Sequence, residues 1–259
     1  MKNDLPTNDR PATAASVAGG ELALLLQHQP YLISGMFDSI ADRYDGLDSL
    51  LSAGLDDRWR ADLIKELGSV AGKAVLDLCA GTGEVTLSLC HAGAASVTAV
   101  DFAPEMLRIA RSKAYQARLA GVGFICADAL HTPVRSASMD AATMAFGLRN
   151  VQDPATAIAE IHRVLRPGGR LAILELSRPS RVVRGPYLAY FQHIMPVIGR
   201  LVSHNRDAYR YLPESVDAFP APDRVAEIIA GAGFDQVRIR QLSGGVAHCY
   251  LGRKAPAAG

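Results

Sequence analysis

The stretch Val75–Val85 reads VLDLCAGTGEV: an apolar run that ends in an acid, followed by two glycines with one residue between them. A run of this kind predicts a buried strand, and the glycines predict a turn into a helix. Because glycine has no Cβ, the backbone at such a turn can approach a bound molecule closely. Taken alone, the pattern is also typical of an ordinary strand-to-helix turn, so the rest of the chain must decide its meaning.

Short apolar runs alternate with helical patterns along the chain. The predicted strands are Ala74–Leu78, Ser96–Asp101, Val122–Ala127, Ala141–Phe146 and Arg170–Leu176, and the predicted helices are Glu84–Ala92, Pro104–Ala120 and Pro154–Leu165. Pro167-Gly168-Gly169 is expected to end the last helix. Two later runs, Gln236–Leu242 and Ala247–Leu251, predict a closing pair that can be antiparallel. The alternation indicates an α/β fold with a mostly parallel sheet and helices on both faces.

Length and composition narrow the class of protein. The 259 residues fit one domain, which we place at residues 31–254 between disordered tails at 1–30 and 255–259. The balance of 27 basic and 26 acidic residues argues against nucleic acid as a partner. The four cysteines form no CxxC pattern, which argues against disulfides and against a metal site and favours a cytoplasmic protein.

Acidic residues follow successive strands at the edge where ligands of such sheets bind. This edge brings together Asp77–Gly83, Asp101, Asp128 and Phe146–Asn150. A dinucleotide would require a third glycine where Thr86 stands, and Glu84 places a negative charge near its phosphates. S-adenosylmethionine lacks phosphates and carries a sulfonium cation, which these acids suit better. We expect Asp101 to accept hydrogen bonds from the ribose hydroxyls, and Asp128 from the adenine amino group.

Several motifs carry a resemblance to a known family. Asp77–Glu84 (DLCAGTGE), Asp101 and Pro167–Gly169 resemble the class I methyltransferase fold. Longer segments resemble the C-methyltransferases of menaquinone and ubiquinone biosynthesis, namely Met36–Arg60, Phe146–Val151 (FGLRNV), Arg163–Pro179 and Tyr209–Pro220, so the resemblance covers roughly Ser34 to Lys254. It implies a Rossmann-like, seven-stranded sheet with an N-terminal helical segment and a lid-like insertion at about residues 180–220.

The resemblance also implies methyl transfer from S-adenosylmethionine to a ring carbon of a prenylated quinol, with demethylmenaquinol as the first choice. The motif match implies a cofactor role for Thr82, Asp101, Asp128 and Ala129. The full predicted cofactor set is Asp77, Gly81, Thr82, Gly83, Asp101, Phe102, Met106, Asp128, Ala129 and Ala145. Ala145, Asp48 and Tyr250 depart from the Ser, Asn and His that are common in this family. They leave open a small-molecule methyltransferase of secondary metabolism, and a non-catalytic cofactor-binding scaffold is the third hypothesis.

The chemistry needs a base, or a cation that stabilises the phenolate of the acceptor. Arg149 is the first candidate, because guanidinium stays charged and donates several fixed hydrogen bonds. Asn150 would orient it or hold a water molecule. The alternative for Arg149 is an ion pair with a nearby acid that pins the loop. Tyr44 and Asp45 are the next candidates; Tyr44 is otherwise a buried aromatic residue, and Asp45 otherwise caps a helix or pairs with Arg43.

The run Tyr187–Val202 raises the question of a membrane. It is too short and too interrupted by polar residues to span a bilayer. Two interpretations stay open: an amphipathic segment that meets the isoprenoid tail and anionic headgroups at the inner membrane face, or a lid helix that packs on the domain. A homodimer is a further expectation.

Overall fold

The computed structural model describes residues 30–180, 183, 185 and 206–257, and a seven-stranded sheet forms its centre. The strands are β1 (Ala74–Leu78), β2 (Ser96–Asp101), β3 (Val122–Cys126), β4 (Met139–Ala145), β5 (Leu165–Leu176), β6 (Phe234–Leu242) and β7 (Ala247–Lys254). Their order is β3-β2-β1-β4-β5-β7-β6, with β7 antiparallel to both of its neighbours and the pairs among β1 to β5 parallel. The predicted mostly parallel sheet with a closing antiparallel pair is confirmed.

Eight helices accompany the sheet in the described part of the chain. They are α1 (Pro30–Ile40), α2 (Tyr44–Leu51), α3 (Leu55–Leu67), α4 (Glu84–His91), α5 (Pro104–Gln116), α6 (Pro154–Val164), α7 (Arg206–Ala218) and α8 (Pro222–Gly231). Short 3-10 turns lie at Ala41–Arg43, Leu148–Asn150 and Ser243–Gly245. Helix α5 ends four residues earlier than the predicted Ala120.

The two faces of the sheet bury two separate cores, because successive side chains of a strand point to opposite faces. Leu76 and Leu78 of β1 pack in one core with Ile158 of α6 and Ile229 of α8. Val75, which directly precedes Leu76 and points to the opposite face, packs in the other core, with residues of α3 and α4 that include Trp59, Leu63 and Leu89. Helices therefore cover both faces, as the alternating pattern predicts.

The boundary between α6 and β5 differs from the prediction. The helix ends at Val164, and Leu165 is already extended (φ −72°, ψ 139°) and pairs with Met139. The pairing then passes to Ala141 with Arg170, so β5 bulges over residues 166–169. The helix thus ends one residue before the predicted Leu165, because proline disfavours helical backbone in the residue before it, whereas β5 begins five residues before the predicted Arg170.

The N-terminal helices lie against the start of α5. An Asp38 carboxylate oxygen accepts a hydrogen bond from the Glu105 N–H (3.0 Å), and Ala41 packs with Ala103 and Met106. Pro30 begins α1, whereas the rest of the predicted tail lies outside the described residues. The predicted insertion at about 180–220 also lies mostly outside them, and α7 is its main described part.

Candidate active site

A cleft opens at the carboxyl ends of β1, β2 and β4, and we call it the rim cleft. It holds about 690 Å³ of empty space. Its walls include Gly81, Asp101, Phe102, Met106, Asp128, Ala129 and Ala145 from the predicted cofactor set, and Tyr44 and Asn150 from the predicted catalytic set. Phe37, Leu130 and Gln152 also line it. Phe37 and Gln152 were not predicted, because neither belongs to a strand-end motif.

Asp101 fixes the shape of the rim cleft. Its Oδ2 accepts a hydrogen bond from the Gly81 N–H (2.8 Å) and its Oδ1 accepts one from the Ala103 N–H (2.9 Å). Burial raises the pKa of this carboxyl group, although the backbone donors act against the rise. Since a carboxylate oxygen can accept more than one hydrogen bond, both oxygens can still bind hydroxyl groups in the cleft. Asp128, at the same edge, accepts from the Leu130 N–H (2.9 Å).

Two glycines allow close approaches between loops beside the cleft. A Cβ on Gly83 (φ 87°) would lie 2.9 Å from the Ala110 Cβ of α5, so this glycine serves the packing of α4 against α5. A Cβ on Gly147 would lie 2.4 Å from the Cys79 Cβ. The loops after β1 and β4 therefore touch at a point where no larger residue fits.

Three residues of the predicted cofactor set do not line the rim cleft. Asp77 is buried and accepts hydrogen bonds from Thr86 Oγ1 (2.6 Å) and Thr143 Oγ1 (2.9 Å), and burial raises its pKa to about 6. It thereby ties β1 to β4 and α4. Thr82 donates from Oγ1 to Asp45 Oδ1 (2.5 Å), and it lines a smaller adjoining pocket together with Asp77 and Gly81. The third is Gly83.

Asp45 holds the N-terminal segment in place. Besides Thr82 it contacts the ammonium group of Lys113, which also pairs with Glu84 (2.6 Å). Asp45 therefore joins α2 to α4 and α5. The expected pairing with Arg43 is absent among the described residues, because Lys113 on the facing helix is the cation that reaches this carboxylate.

Arg149 is buried at the turn after β4, with 7% of its surface exposed. Its Nη1 donates to Glu175 Oε1 (2.6 Å) and to the Phe146 carbonyl (2.8 Å), and its backbone N–H donates to Glu175 Oε2 (3.0 Å). The expected alternative, an ion pair that pins the loop, is therefore present. Nε is buried and has no hydrogen-bond partner among the described residues.

Glu175 was missed in the sequence, although a signal for it existed. It stands near the end of β5, as Asp77 and Asp101 stand near the ends of β1 and β2, and it is fully buried. An acid inside an apolar strand must find a cationic or hydrogen-bonded partner. That partner is Arg149 in FGLRN, which follows the neighbouring strand β4.

A second cavity, which we call the side cavity, lies beyond Phe146 and holds about 920 Å³ of empty space. Its walls are mostly apolar, with Leu51, Trp59, Leu176, Leu212 and Val246 among them. The charged residues in its lining are Asp48, Asp56 and Arg149, and a smaller connecting pocket contains Tyr44, Asp48 and Phe146. Phe146 lines all three spaces.

The ring of Phe146 is held on two sides. Trp59 packs edge-on against it with ring centroids 6.3 Å apart, and the Arg60 guanidinium lies 5.8 Å from its centroid. The Phe146 backbone has a positive φ of 57°, which non-glycine residues rarely adopt. An enforced backbone conformation at such a position often accompanies function.

Asn150 and Tyr44 complete the region where the spaces meet. Asn150 donates to the Phe146 carbonyl (3.1 Å) and accepts from the Tyr211 hydroxyl of α7 (2.9 Å). Tyr44 is partly buried, and burial together with the Asp48 carboxylate raises its pKa above the usual range. Its hydroxyl is therefore neutral at pH 7.

Two properties bear on the kind of chemistry. Within the described residues, no three histidine, cysteine or acidic side chains come close enough to hold a metal ion. Nor does that part of the chain contain a helix with the length and apolar character needed to cross a membrane. The site itself consists of a carboxylate-lined cleft and, next to it, a largely apolar cavity with a buried arginine.

The fold is that of the class I methyltransferases. A solved structure of a SAM-dependent methyltransferase from Aquifex aeolicus shares the fold with a TM-score of 0.60 at 22% identity, over 83% of this chain and 97% of that one. The [4+2]-cyclase SpnF shares it with a TM-score of 0.61 at 19% identity, over 78% and 81% of the two chains.

The chain belongs to the ubiE/COQ5 methyltransferase family, whose model matches residues 26–254. The demethylmenaquinone methyltransferase of Thermus thermophilus is 48% identical over 84% of this chain and 99% of the relative. The ubiquinone/menaquinone biosynthesis C-methyltransferase UbiE of Syntrophotalea carbinolica is 42% identical over 84% and 92% of the two chains. The protein is therefore a methyltransferase with S-adenosylmethionine as its cofactor, and the predicted family is confirmed.

Proposed function

We propose that the protein transfers a methyl group from S-adenosylmethionine to a ring carbon of a demethylated, prenylated quinol, with demethylmenaquinol as the expected acceptor. The main support is the position of Arg149, which lines the largely apolar side cavity and whose buried Nε has no hydrogen-bond partner among the described residues. The relatives described above, which act on quinone precursors by name, support the same acceptor class.

The proposal assigns the cofactor to the rim cleft. Asp101 offers free lone pairs to the ribose hydroxyls, and Asp128 offers the same to the adenine amino group. Phe102, Met106 and Leu130 supply apolar walls for the base. Bound there, S-adenosylmethionine would supply an electrophilic methyl carbon attached to a sulfonium cation.

The acceptor would occupy the side cavity, with its ring near Phe146 and its isoprenoid tail along Leu51, Leu176 and Leu212. An unpartnered buried donor costs about 1–3 kcal/mol. A quinol oxygen that accepts from Arg149 Nε would remove this cost, and the guanidinium would favour the ionised oxygen. Because Glu175 and the Phe146 carbonyl hold the guanidinium, it is positioned before the acceptor arrives.

We extend the proposal to a cytoplasmic protein that contacts the inner membrane face peripherally and forms a homodimer. An acceptor with an isoprenoid tail would be drawn from a membrane, and the basic run that favours surface contact starts at Arg178. Co-sedimentation with anionic vesicles tests the first point, and equilibrium ultracentrifugation tests the second.

Incubation of the protein with S-adenosylmethionine and a panel of reduced quinones, followed by mass spectrometry, tests the proposed function. A gain of one methyl group on a ring carbon of demethylmenaquinol supports it. Methylation of an unrelated small molecule alone would favour an enzyme of secondary metabolism. Cofactor binding with no methyl transfer to any acceptor would favour a scaffold.

A further inference from the structure

Two side chains hold the turn after β4, residues Phe146–Asn150, which we call the β4 turn. The Phe146 carbonyl accepts hydrogen bonds from Arg149 Nη1 (2.8 Å) and from Asn150 Nδ2 (3.1 Å), which together use both of its lone pairs. The Phe146 backbone has a positive φ of 57°, and such a conformation persists only where its surroundings hold it. The two donors therefore fix the position of the Phe146 backbone and of the guanidinium beside it.

The amide of Asn150 has a defined orientation. Because a carbonyl oxygen only accepts hydrogen bonds, the amide nitrogen must face Phe146, and the amide oxygen then faces α7. There the Tyr211 hydroxyl donates to Asn150 Oδ1 (2.9 Å). Burial raises the pKa of Tyr211 to about 12, so the hydroxyl keeps its proton at pH 7 and remains a donor. Tyr211 therefore favours the orientation in which Asn150 donates to Phe146.

Tyr211 itself lies outside the three spaces of the site. It is buried, and its ring packs with Ile33 and Met36 of α1. It lines neither the rim cleft nor the side cavity nor the connecting pocket, whereas Asn150 lines the rim cleft. The next residue, Leu212, lines the side cavity. Helix α7 therefore supplies both a wall of this cavity and the hydrogen bond that orients the β4 turn.

We propose that Tyr211 is a positioning residue for the methyl transfer, an inference that rests on the proposed function. Its hydroxyl orients Asn150, and Asn150 and Arg149 together hold the Phe146 carbonyl. Without this hydroxyl the Asn150 amide is free to turn over, and the Phe146 carbonyl keeps only Arg149 as a side-chain donor. The guanidinium then loses part of the fixed position from which it acts on the acceptor oxygen. Loss of such positioning slows the reaction more than it weakens binding.

The test compares Tyr211→Phe with Ser215→Ala in the full chain. Ser215 lies one turn further along α7, is also buried, and donates from Oγ to the Leu212 carbonyl (2.9 Å). Both variants remove one hydroxyl hydrogen bond from α7, but only Tyr211 contacts Asn150. With saturating S-adenosylmethionine and varied demethylmenaquinol, Tyr211→Phe should lower kcat about 10–100-fold and leave the acceptor KM unchanged. Ser215→Ala should keep the wild-type kcat.

A double-mutant cycle with Asn150→Ala separates positioning from a purely structural role. Because Tyr211 acts through Asn150, Tyr211→Phe should lower kcat no further in a chain that already carries Asn150→Ala. A structural role alone would lower the Tm of Tyr211→Phe and leave its kcat at the wild-type value. That result would overturn the proposal, as would independent losses of kcat in the double variant or an equal loss in Ser215→Ala.

Two further outcomes are covered by the same experiment. If Tyr211→Phe does not fold, Asn150→Ala decides alone: it must lower kcat at least about tenfold, and wild-type turnover would overturn the proposal. The affinity for S-adenosylmethionine, measured by calorimetry, should be the same in Tyr211→Phe as in the wild type, and a loss of affinity as large as the loss of kcat would contradict positioning of the β4 turn. A wild-type protein that methylates no quinol would instead refute the proposed function, and the inference would fall with it.

Discussion

Replacing Tyr250 by phenylalanine should stabilise the protein. Tyr250 of β7 is fully buried in the core that contains Leu76 and Leu78, and its hydroxyl has no hydrogen-bond partner among the described residues. A buried polar group without a partner costs about 1–3 kcal/mol, and the phenylalanine ring keeps the packing of the tyrosine ring. We therefore expect the free energy of unfolding to rise by about 1–2 kcal/mol, which for a domain of this size corresponds to an increase in Tm of about 2–8 °C.

Tyr211→Phe is the matched control. Tyr211 is also buried, with 2% of its surface exposed, but its hydroxyl donates to Asn150 Oδ1 (2.9 Å). Its removal should lower the free energy of unfolding by about 1 kcal/mol. Urea denaturation of both variants, followed by circular dichroism, measures the two values, and an unchanged m-value confirms that the unfolding transition is the same. If Tyr250→Phe destabilised the protein as much as Tyr211→Phe, the Tyr250 hydroxyl would be satisfied and the reasoning refuted.

Three further changes test the site. Asp101→Ala should weaken S-adenosylmethionine binding at least ~30-fold in calorimetry, because it removes charged acceptors from the rim cleft; an unchanged Kd would reject the ribose role. Arg149→Lys keeps the charge but lacks Nε, and should lower kcat ~10–100-fold with an unchanged cofactor Kd; wild-type turnover would show that charge alone suffices. Gly147→Ala should destabilise the protein by ~1–3 kcal/mol, because the new Cβ collides with Cys79. Adding Cys79→Gly to this variant should restore most of that stability. If the double variant lost the sum of the two single losses of stability, the contact would be contradicted.

The sheet could be predicted from the sequence because its signals are local. Each strand is a short apolar run, and the helical patterns between most of the runs predict that the strands are parallel. The start of β5, at Leu165 instead of the predicted Arg170, shows the limit of such signals. Proline and glycine mark a break in regular structure, but tertiary pairing of Leu165 with Met139 decides on which side of the break the strand begins.

The sequence predicted which edge of the sheet carries the site, but not which of the residues at that edge line the cleft. Asp101 and Asp128 line the rim cleft, as expected, whereas Asp77 does not line it and accepts hydrogen bonds from Thr86 and Thr143. All three acids follow the same pattern in the sequence. The pattern does not show which neighbour satisfies each carboxylate, because those partners come from other strands and helices, and Glu175 escaped prediction for the same reason.

Because Phe146 forms a wall of the rim cleft and of the side cavity, the proposed placement of donor and acceptor predicts that their affinities are coupled. A smaller residue at position 146 would therefore change the Michaelis constants for the donor and for the acceptor together. A variant selected for a new acceptor would then need a second change that restores its affinity for the donor. Diversification of acceptor range is therefore easier at Leu51 or Leu212, which border the side cavity alone.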